Sequence, residues 1–253
     1  MRYARYPPSS SFFHEYFPPG VKWLLIVNTA VFLLTGLLPQ SFEADIALLA
    51  LAPVAVVFHL AFWQLATYLF LHGSIWHLLF NMLTLWMFGV QLEQDWGTRK
   101  FLKYYFLCGI GAGLCDVALH AAMGDWSTRT IGASGAIFGL LLAFGVLYPN
   151  QMVLMNFLFP IKAKYMVMIY GAIELWMSTT SAINNAFIGP NTGVSSIAHL
   201  GGMLFGYVYL KGPRPALRMP GAMGAYRQWK LRRAKRKFQV YMRKQGGRGP
   251  WVN

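Results

Sequence analysis

The sequence predicts an all-α polytopic membrane protein, a bundle of six transmembrane helices with a long first loop in the membrane interface. Two observations predict this class. Of the 253 residues, 56% are hydrophobic and only 12% are charged, whereas a soluble domain carries about 25% charged residues. The apolar residues are also gathered into runs of about 17–25 residues, the length at which a helix crosses a bilayer.

Six apolar runs are the predicted spans. They lie at 22–38, 75–92, 101–122, 132–149, 165–187 and 194–211. The stretch 39–74 is also apolar and aromatic, but acidic residues, proline and glycine interrupt it. We therefore predict a loop in the interface rather than a seventh span. Trp63, Tyr68 and Trp76 would then lie at the depth that amphipathic aromatic rings prefer.

The chain is predicted to have three parts: a cytoplasmic N-terminal segment at 1–21, the membrane domain at 22–211 and a basic cytoplasmic tail at 212–253. Of the segments that would face the opposite side, 39–74 and 188–193 contain no Lys or Arg, and the one between the third and fourth spans holds only Arg129. Positive residues favour the cytoplasmic side, so both termini are predicted there. The absence of a long transit segment favours the prokaryotic cytoplasmic membrane.

The basic tail accounts for most of the net charge of +14, since no Asp or Glu follows Lys211. Residues 226–244 predict a cationic helix that binds the anionic leaflet of membrane lipids. The alternative is a disordered tail that only fixes topology. Nucleic acid is not an expected partner, because the sequence contains no recognisable nucleic-acid-binding module.

Ser134 lies within Gly132-Ala133-Ser134-Gly135 at the predicted start of the fourth span. The unpaired N–H groups and positive end of a helix stabilise a developing oxyanion. The glycines permit close backbone approach. Position 136 is alanine, so the segment differs from the G-x-S-x-G elbow of α/β-hydrolases. On local sequence alone, a helix N-cap is the better interpretation of this serine.

His199 is the ionisable residue in the predicted interior of the last span. Such residues are costly in a membrane and usually functional, although a histidine bonded to a neighbouring helix is the alternative. Serine and histidine are the minimum pair for acyl transfer. Small residues spaced by four would let the fourth and last spans approach and bring the pair together. They are Gly135 and Gly139, and Ala198, Gly202 and Gly206.

His77 and Asn81 are four residues apart near the start of the second span, so they project from one helix face. Both side chains can donate hydrogen bonds, as an oxyanion hole requires. The alternative is a pair of interfacial polar residues. A metal site that includes His72 is disfavoured, because H-E-x-x-H is absent and no cysteine lies nearby. No metal or cofactor is expected.

Two acidic residues lie inside predicted spans, Asp116 in the third and Glu174 in the fifth. Neither has a partner at the spacing of a known motif, so both are interpreted as structural or gating polar groups. The fifth span is the most polar of the six and is therefore a plausible moving element.

Several motifs in order resemble the rhomboid family of intramembrane serine proteases over 22–211. They are His77 to Asn81 with Gly89, Glu93 with Gly97 and the stretch Lys100 to Tyr105, Gly132 to Gly135, and Ala198-His199 with Gly202. The resemblance implies a catalytic dyad of Ser134 and His199. It implies an oxyanion hole formed by His77, Asn81 and the Ser134 backbone N–H, and no cofactor. The substrates would be single-span membrane proteins, with the fifth helix as their gate.

Two residues depart from the family pattern. Gln64 follows Trp63 where the family often has arginine, which puts the stability of the first loop in question. Phe138 stands where many members have tyrosine, one helical turn after Ser134, and its ring can still stack on His199.

The predicted function is therefore an intramembrane serine endopeptidase. The alternative is a non-catalytic rhomboid-like protein that binds transmembrane segments. A small transporter is disfavoured because the sequence has no evident internal repeat.

Overall fold

The computed structural model describes residues 16–39, 46–155, 159–187 and 195–212, and this part of the chain is mostly helical. The helices are α1 (Pro19–Leu37), α2 (Pro53–Phe58), α3 (Gln64–Thr67), α4 (Ile75–Trp96), α5 (Thr98–Ala122), α6 (Ser134–Leu147), α7 (Ala163–Phe187) and α8 (Ser196–Lys211), with a 3₁₀ turn at Tyr68–Phe70. The six longer helices each overlap one predicted span. Within the described residues, α1, α4 and α5 are long and apolar enough to cross a membrane, and α6 is a shorter apolar helix.

Local sequence explains several helix ends. Pro19 occupies the first turn of α1, where its missing N–H is not needed. Ser74 caps α4, since its hydroxyl accepts a 3.1 Å hydrogen bond from the His77 backbone N–H. Gly97 separates α4 from α5 with a φ of +78°, a left-handed conformation that glycine adopts without steric cost.

The N-terminus of α1 is attached to the far end of α4 through Glu93. The carboxylate of Glu93 accepts hydrogen bonds from the backbone N–H groups of Gly20, at 2.8 Å, and Val21, at 2.7 Å. The Thr98 hydroxyl donates a third at 2.6 Å. The carboxylate thus satisfies N–H groups that have no partner within the helix and complements the positive end of its dipole.

The core is built around α5, which packs against α4 and α6. Its aromatic residues Phe101, Tyr104 and Tyr105 are fully buried. The Tyr104 hydroxyl donates a 2.8 Å hydrogen bond to the carbonyl oxygen of Gly139 on α6. This bond fixes the position of the helix that begins at Ser134.

The loop before α4 packs into the core along part of its length. Tyr68 is only 1% exposed and its hydroxyl donates to the Gly109 carbonyl of α5 at 2.7 Å. The ring of Tyr68 therefore faces the protein interior, where Gly113 on α5 leaves room for it, and its interfacial depth stays a prediction. Trp63 and Trp76 are 54% and 64% exposed, which agrees with an interfacial position.

Gln64 holds this loop together from the inside. The residue is buried, its Oε1 accepts from the Ala52 backbone N–H at 3.0 Å, and its Nε2 donates to the Leu48 carbonyl at 3.0 Å. A neutral amide supplies both a donor and an acceptor. The loop is therefore cross-linked without the charge of an arginine.

A short antiparallel hairpin that the sequence did not predict precedes α7. Strand β1 (Met152–Met155) pairs with β2 (Phe159–Lys162), and Met152 lies opposite Lys162. The chain passes from β2 directly into α7 at Ala163. The predicted cationic helix at 226–244 lies outside the described residues.

Candidate active site

The helices α6 and α8 cross at their small residues. A Cβ atom on Gly135 would lie 3.2 Å from the Ala198 carbonyl oxygen, and one on Gly139 would lie 3.1 Å from the Gly202 carbonyl oxygen. Larger side chains would push the two helices apart. The small residues thus bring the N-terminal turns of α6 and α8 into backbone contact.

Ser134 and His199 meet at this crossing. The Nε2 atom of His199 lies 2.6 Å from the Oγ atom of Ser134. Ser134 is the first residue of α6, and Ala133 occupies the N-cap position. The interpretation of Ser134 as an N-cap is therefore wrong, and its hydroxyl bonds to the histidine instead of to its own helix.

The imidazole of His199 is held on two further sides. The Phe138 ring stacks on it with 4.3 Å between ring centroids and an interplanar angle of 10°, which confirms the expected stacking. Its Nδ1 atom lies 3.0 Å from Oε2 of Glu174 on α7. Sequence reasoning treated Glu174 as structural or gating and missed this contact, because no spacing along the chain connects the two residues.

His77 and Asn81 converge on the backbone just before Ser134. A Cβ atom on Gly132 would lie 2.7 Å from His77 Nε2 and 3.8 Å from Asn81 Nδ2. Both nitrogen atoms are buried and have no hydrogen-bond partner among the described residues. Gly132 has a φ of +119° and donates its N–H to the Tyr68 carbonyl at 2.9 Å. Two side-chain nitrogen atoms without partners therefore face a backbone segment that only glycine fits; Asn81 Nδ2 is a donor, and His77 Nε2 is one when it carries the ring proton.

His72 packs beside His77 on the side of the preceding loop, with 5.1 Å between ring centroids. Burial, together with the nearby His77, lowers the pKa of His72 to about 4. His72 is therefore neutral near pH 7 and adds no positive charge beside His77. In the described part of the chain, no group of three or more His, Cys, Asp or Glu side chains is arranged to hold a metal ion.

Asp116 supports the segment that leads to Ser134. Its carboxylate accepts a 2.8 Å hydrogen bond from the Thr130 hydroxyl. The backbone of Thr130 pairs with that of Leu51 in the first loop. Asp116 thus has a structural contact on α5 at a distance from the Ser134 side chain.

These residues form an arrangement that fits acyl transfer. A serine hydroxyl bonded to an imidazole is a potential nucleophile with its base. Unpaired donors beside it are what an oxyanion requires. The serine lies at the N-terminus of α6, where the helix dipole adds positive potential.

Several known proteins are similar in sequence to the part of the chain that contains these residues. The family described as the rhomboid domain matches residues 59–212, more than half of the chain. RHOMBOID-like protein 1 of Arabidopsis thaliana is 34% identical over 157 residues, which cover 60% of this chain and 36% of that protein. Rhomboid protease AarA of Providencia stuartii is 32% identical over 157 residues, 57% of this chain and 53% of that protein. Rhomboid-like protease 3 of Toxoplasma gondii is 30% identical over 125 residues, 48% of this chain and 46% of that protein.

The chain therefore spans only about a third to a half of the length of these relatives. The resemblance seen in the motifs is confirmed by the family match. The apolar helices agree with an integral membrane protein. The order of the motifs, the apolar helices and the family match lead to one conclusion: the chain belongs to the rhomboid family.

Proposed function

We propose that this chain is an intramembrane serine endopeptidase that cleaves single-span membrane proteins in or near the bilayer. Ser134 is the nucleophile and His199 is its general base. The observation that carries this proposal is the 2.6 Å contact between His199 Nε2 and Ser134 Oγ at the start of α6. Two relatives whose names contain the word protease support the reaction class.

The reaction follows the order of acyl transfer. Ser134 Oγ attacks the carbonyl carbon of the scissile peptide while His199 Nε2 takes the hydroxyl proton. The histidine then gives this proton to the departing amine, the C–N bond breaks and an acyl ester remains on Ser134. Water attacks the ester with His199 again acting as base, and the carboxylic product leaves Ser134 free.

The negative charge on the attacked carbonyl oxygen is stabilised by an oxyanion hole formed by His77, Asn81 and the backbone N–H of Ser134. The unpaired His77 Nε2 and Asn81 Nδ2 atoms support this role, because a buried donor without a partner is costly. These donors would form their strongest hydrogen bonds when negative charge develops on the substrate oxygen in the transition state. Each is typically worth about 10²–10³-fold in kcat.

The proposed topology has six spans, both termini in the cytoplasm and α7 as the element that admits substrate. The asymmetry of Lys and Arg along the chain supports the orientation. The proposed location is a prokaryotic cytoplasmic membrane, which the relatives do not favour over others, since they include plant, yeast mitochondrial and bacterial proteins. The partners are transmembrane substrates and lipids, with the basic tail on an anionic leaflet.

The test uses purified protein in detergent with a fluorophosphonate probe and a single-span substrate. The variants are Ser134→Ala and His199→Ala. Ser127→Ala is the matched control, because the Ser127 hydroxyl bonds to Asp125 in a loop after α5. Wild type and the control are expected to label and to cleave, whereas both site variants do neither while they remain folded.

Labelling or cleavage by Ser134→Ala would overturn the proposal. A folded wild type that captures transmembrane segments from native membranes, but neither labels nor cuts them, would establish the non-catalytic alternative instead.

A further inference from the structure

A buried carboxylate on α7 lies next to the proposed catalytic base. Oε2 of Glu174 is 3.0 Å from Nδ1 of His199, and the other ring nitrogen of His199 is 2.6 Å from Ser134 Oγ. The imidazole therefore bridges a serine and a carboxylate that come from different helices. The neutral ring carries one proton, so it can donate to one of these oxygens and accept from the other.

The carboxylate and the imidazole are both shielded from solvent. Glu174 is 8% exposed and His199 is 6% exposed. The contact is close but is not aligned as a hydrogen bond, and neither Nδ1 nor Oε2 has another hydrogen-bond partner among the described residues. A carboxylate in a membrane helix is unfavourable unless it is paired. Among the described residues, His199 is such a partner.

The position of Glu174 on its helix is also specific. It is buried, whereas the adjacent residues Ile173 and Leu175 are 46% and 58% exposed. One turn earlier, a Cβ atom on Gly171 would lie 3.5 Å from the Met203 side chain of α8. This face of α7 is therefore turned towards α8.

We propose that Glu174 is a positioning residue that completes a relay of Ser134, His199 and Glu174. The inference rests on the proposed protease function. The carboxylate accepts the Nδ1–H of His199, which fixes the tautomer whose Nε2 lone pair faces Ser134. When Nε2 takes the serine proton, the imidazolium is stabilised by the ionised carboxylate. Glu174 itself takes up no proton, and the proton passes from His199 to the leaving amine.

A purely structural role for Glu174 makes different predictions. If the residue only filled a polar position between α7 and α8, glutamine would replace it with little change in turnover. In a relay, glutamine can present its NH₂ group to Nδ1 and favour the wrong tautomer. Aspartate keeps the charge and is expected to retain more activity than glutamine.

The experiment measures kcat and KM for a single-span substrate in proteoliposomes, with Glu174→Gln, Glu174→Asp and Glu93→Gln. Loss of the triad carboxylate lowers kcat by up to about 10⁴-fold in soluble serine proteases, and we expect a loss of about tenfold or more for Glu174→Gln. KM is expected to change by less than about twofold, since the residue acts after binding. Glu93→Gln is the matched control, because it alters a buried carboxylate that bonds to the N-terminus of α1, and its kcat is expected to stay near that of wild type.

The pairing is measured separately by proton NMR on protein labelled with ¹⁵N-histidine. Wild type and Ser134→Ala are expected to show a low-field Nδ1–H proton that is lost in His199→Ala and moves upfield in Glu174→Gln. Wild-type kcat in Glu174→Gln, or the absence of this proton from wild type, overturns the relay. A wild type that shows the proton but neither cleaves nor labels overturns the proposed function and leaves the pairing intact.

Discussion

Gly202 on α8 lies directly against the backbone of Gly135 on α6. A Cβ atom at position 202 would overlap the carbonyl group of Gly135. Ser134 immediately precedes Gly135, and His199 lies about one turn before Gly202. The contact between the two glycines therefore sets the separation of the serine and the histidine.

We expect Gly202→Ala to abolish activity by forcing α6 and α8 apart. Overpacking of this kind destabilises a fold by about 1–3 kcal/mol, and a displacement of about 1 Å at a reacting group lowers the rate by about 100-fold. Probe labelling and thermal unfolding measure the two effects. Gly36→Ala on α1 is the control, because a Cβ there meets no atom within 4 Å. Wild-type labelling in Gly202→Ala would contradict the prediction.

Gly132→Ala is expected to lose turnover as well as stability. The φ of Gly132 is +119°, and a Cβ there would lie 2.7 Å from the His77 ring. Gly124, at φ +74°, has no atom within 4 Å of its Cβ position. A left-handed alanine costs about 1–2 kcal/mol, so both variants should unfold at lower temperature. Only Gly132→Ala should lower kcat, and equal turnover in the two variants would exclude crowding of the proposed oxyanion hole.

Asn81→Ala is expected to lower kcat by about 10²–10³-fold with little change in KM, because it removes a donor that acts on the developing oxyanion. The control is Asn28→Ala, a buried amide on α1 whose Nδ2 donates to the Leu24 carbonyl at 2.7 Å. This control should change unfolding alone. Steady-state kinetics of the two variants separates the roles, and a KM effect without a kcat effect would assign Asn81 to substrate binding instead.

Glu93→Gln should weaken the attachment of α1 without altering the chemistry. Gly20 and Val21 donate to different carboxylate oxygens, and in glutamine one of these positions becomes an NH₂ group that cannot accept. Hydrogen bonds to charged groups contribute about 1.5–3 kcal/mol, and we expect a loss of unfolding free energy of about that size. Unfolding in mixed detergent measures it, with the exposed Asp95→Asn as the control. An unchanged midpoint would show that the carboxylate is dispensable.

The positions of the six longer helices could be predicted because each overlaps a long apolar run. A chain that crosses a membrane pairs its backbone groups within a helix, and such a helix needs about 20 apolar residues. The ends of the helices were harder to predict. The fourth span was expected from 132, but α6 begins at Ser134 because Gly132 has a positive φ that an α-helix excludes. The pairing of Met152–Met155 with Phe159–Lys162 was missed, because strands of four residues are too short to show an alternating pattern.

Contacts between helices could be predicted only where a sequence motif indicated that two helices approach each other. The small residues of the fourth and last spans indicated that Ser134 and His199 would approach. The contact of Glu174 with His199 had no such signal, because periodicity gives the face of a helix but not the neighbour that the face meets. The burial of Tyr68 was not predicted for the same reason, since the space that accepts its ring lies beside Gly113 on another helix.

The shortness of α6 leaves part of the proposed membrane crossing to chain that is not helical. Its 14 residues give a helix about 21 Å long, against a hydrocarbon core of about 30 Å. On the proposed topology, the chain before Ser134 completes the crossing without helix, and its backbone is paired with the first loop at Leu51 and Tyr68. Non-helical backbone at this depth must be buried or face water. The first loop therefore covers the backbone that leads to Ser134, and on the proposed topology it separates this backbone from lipid tails.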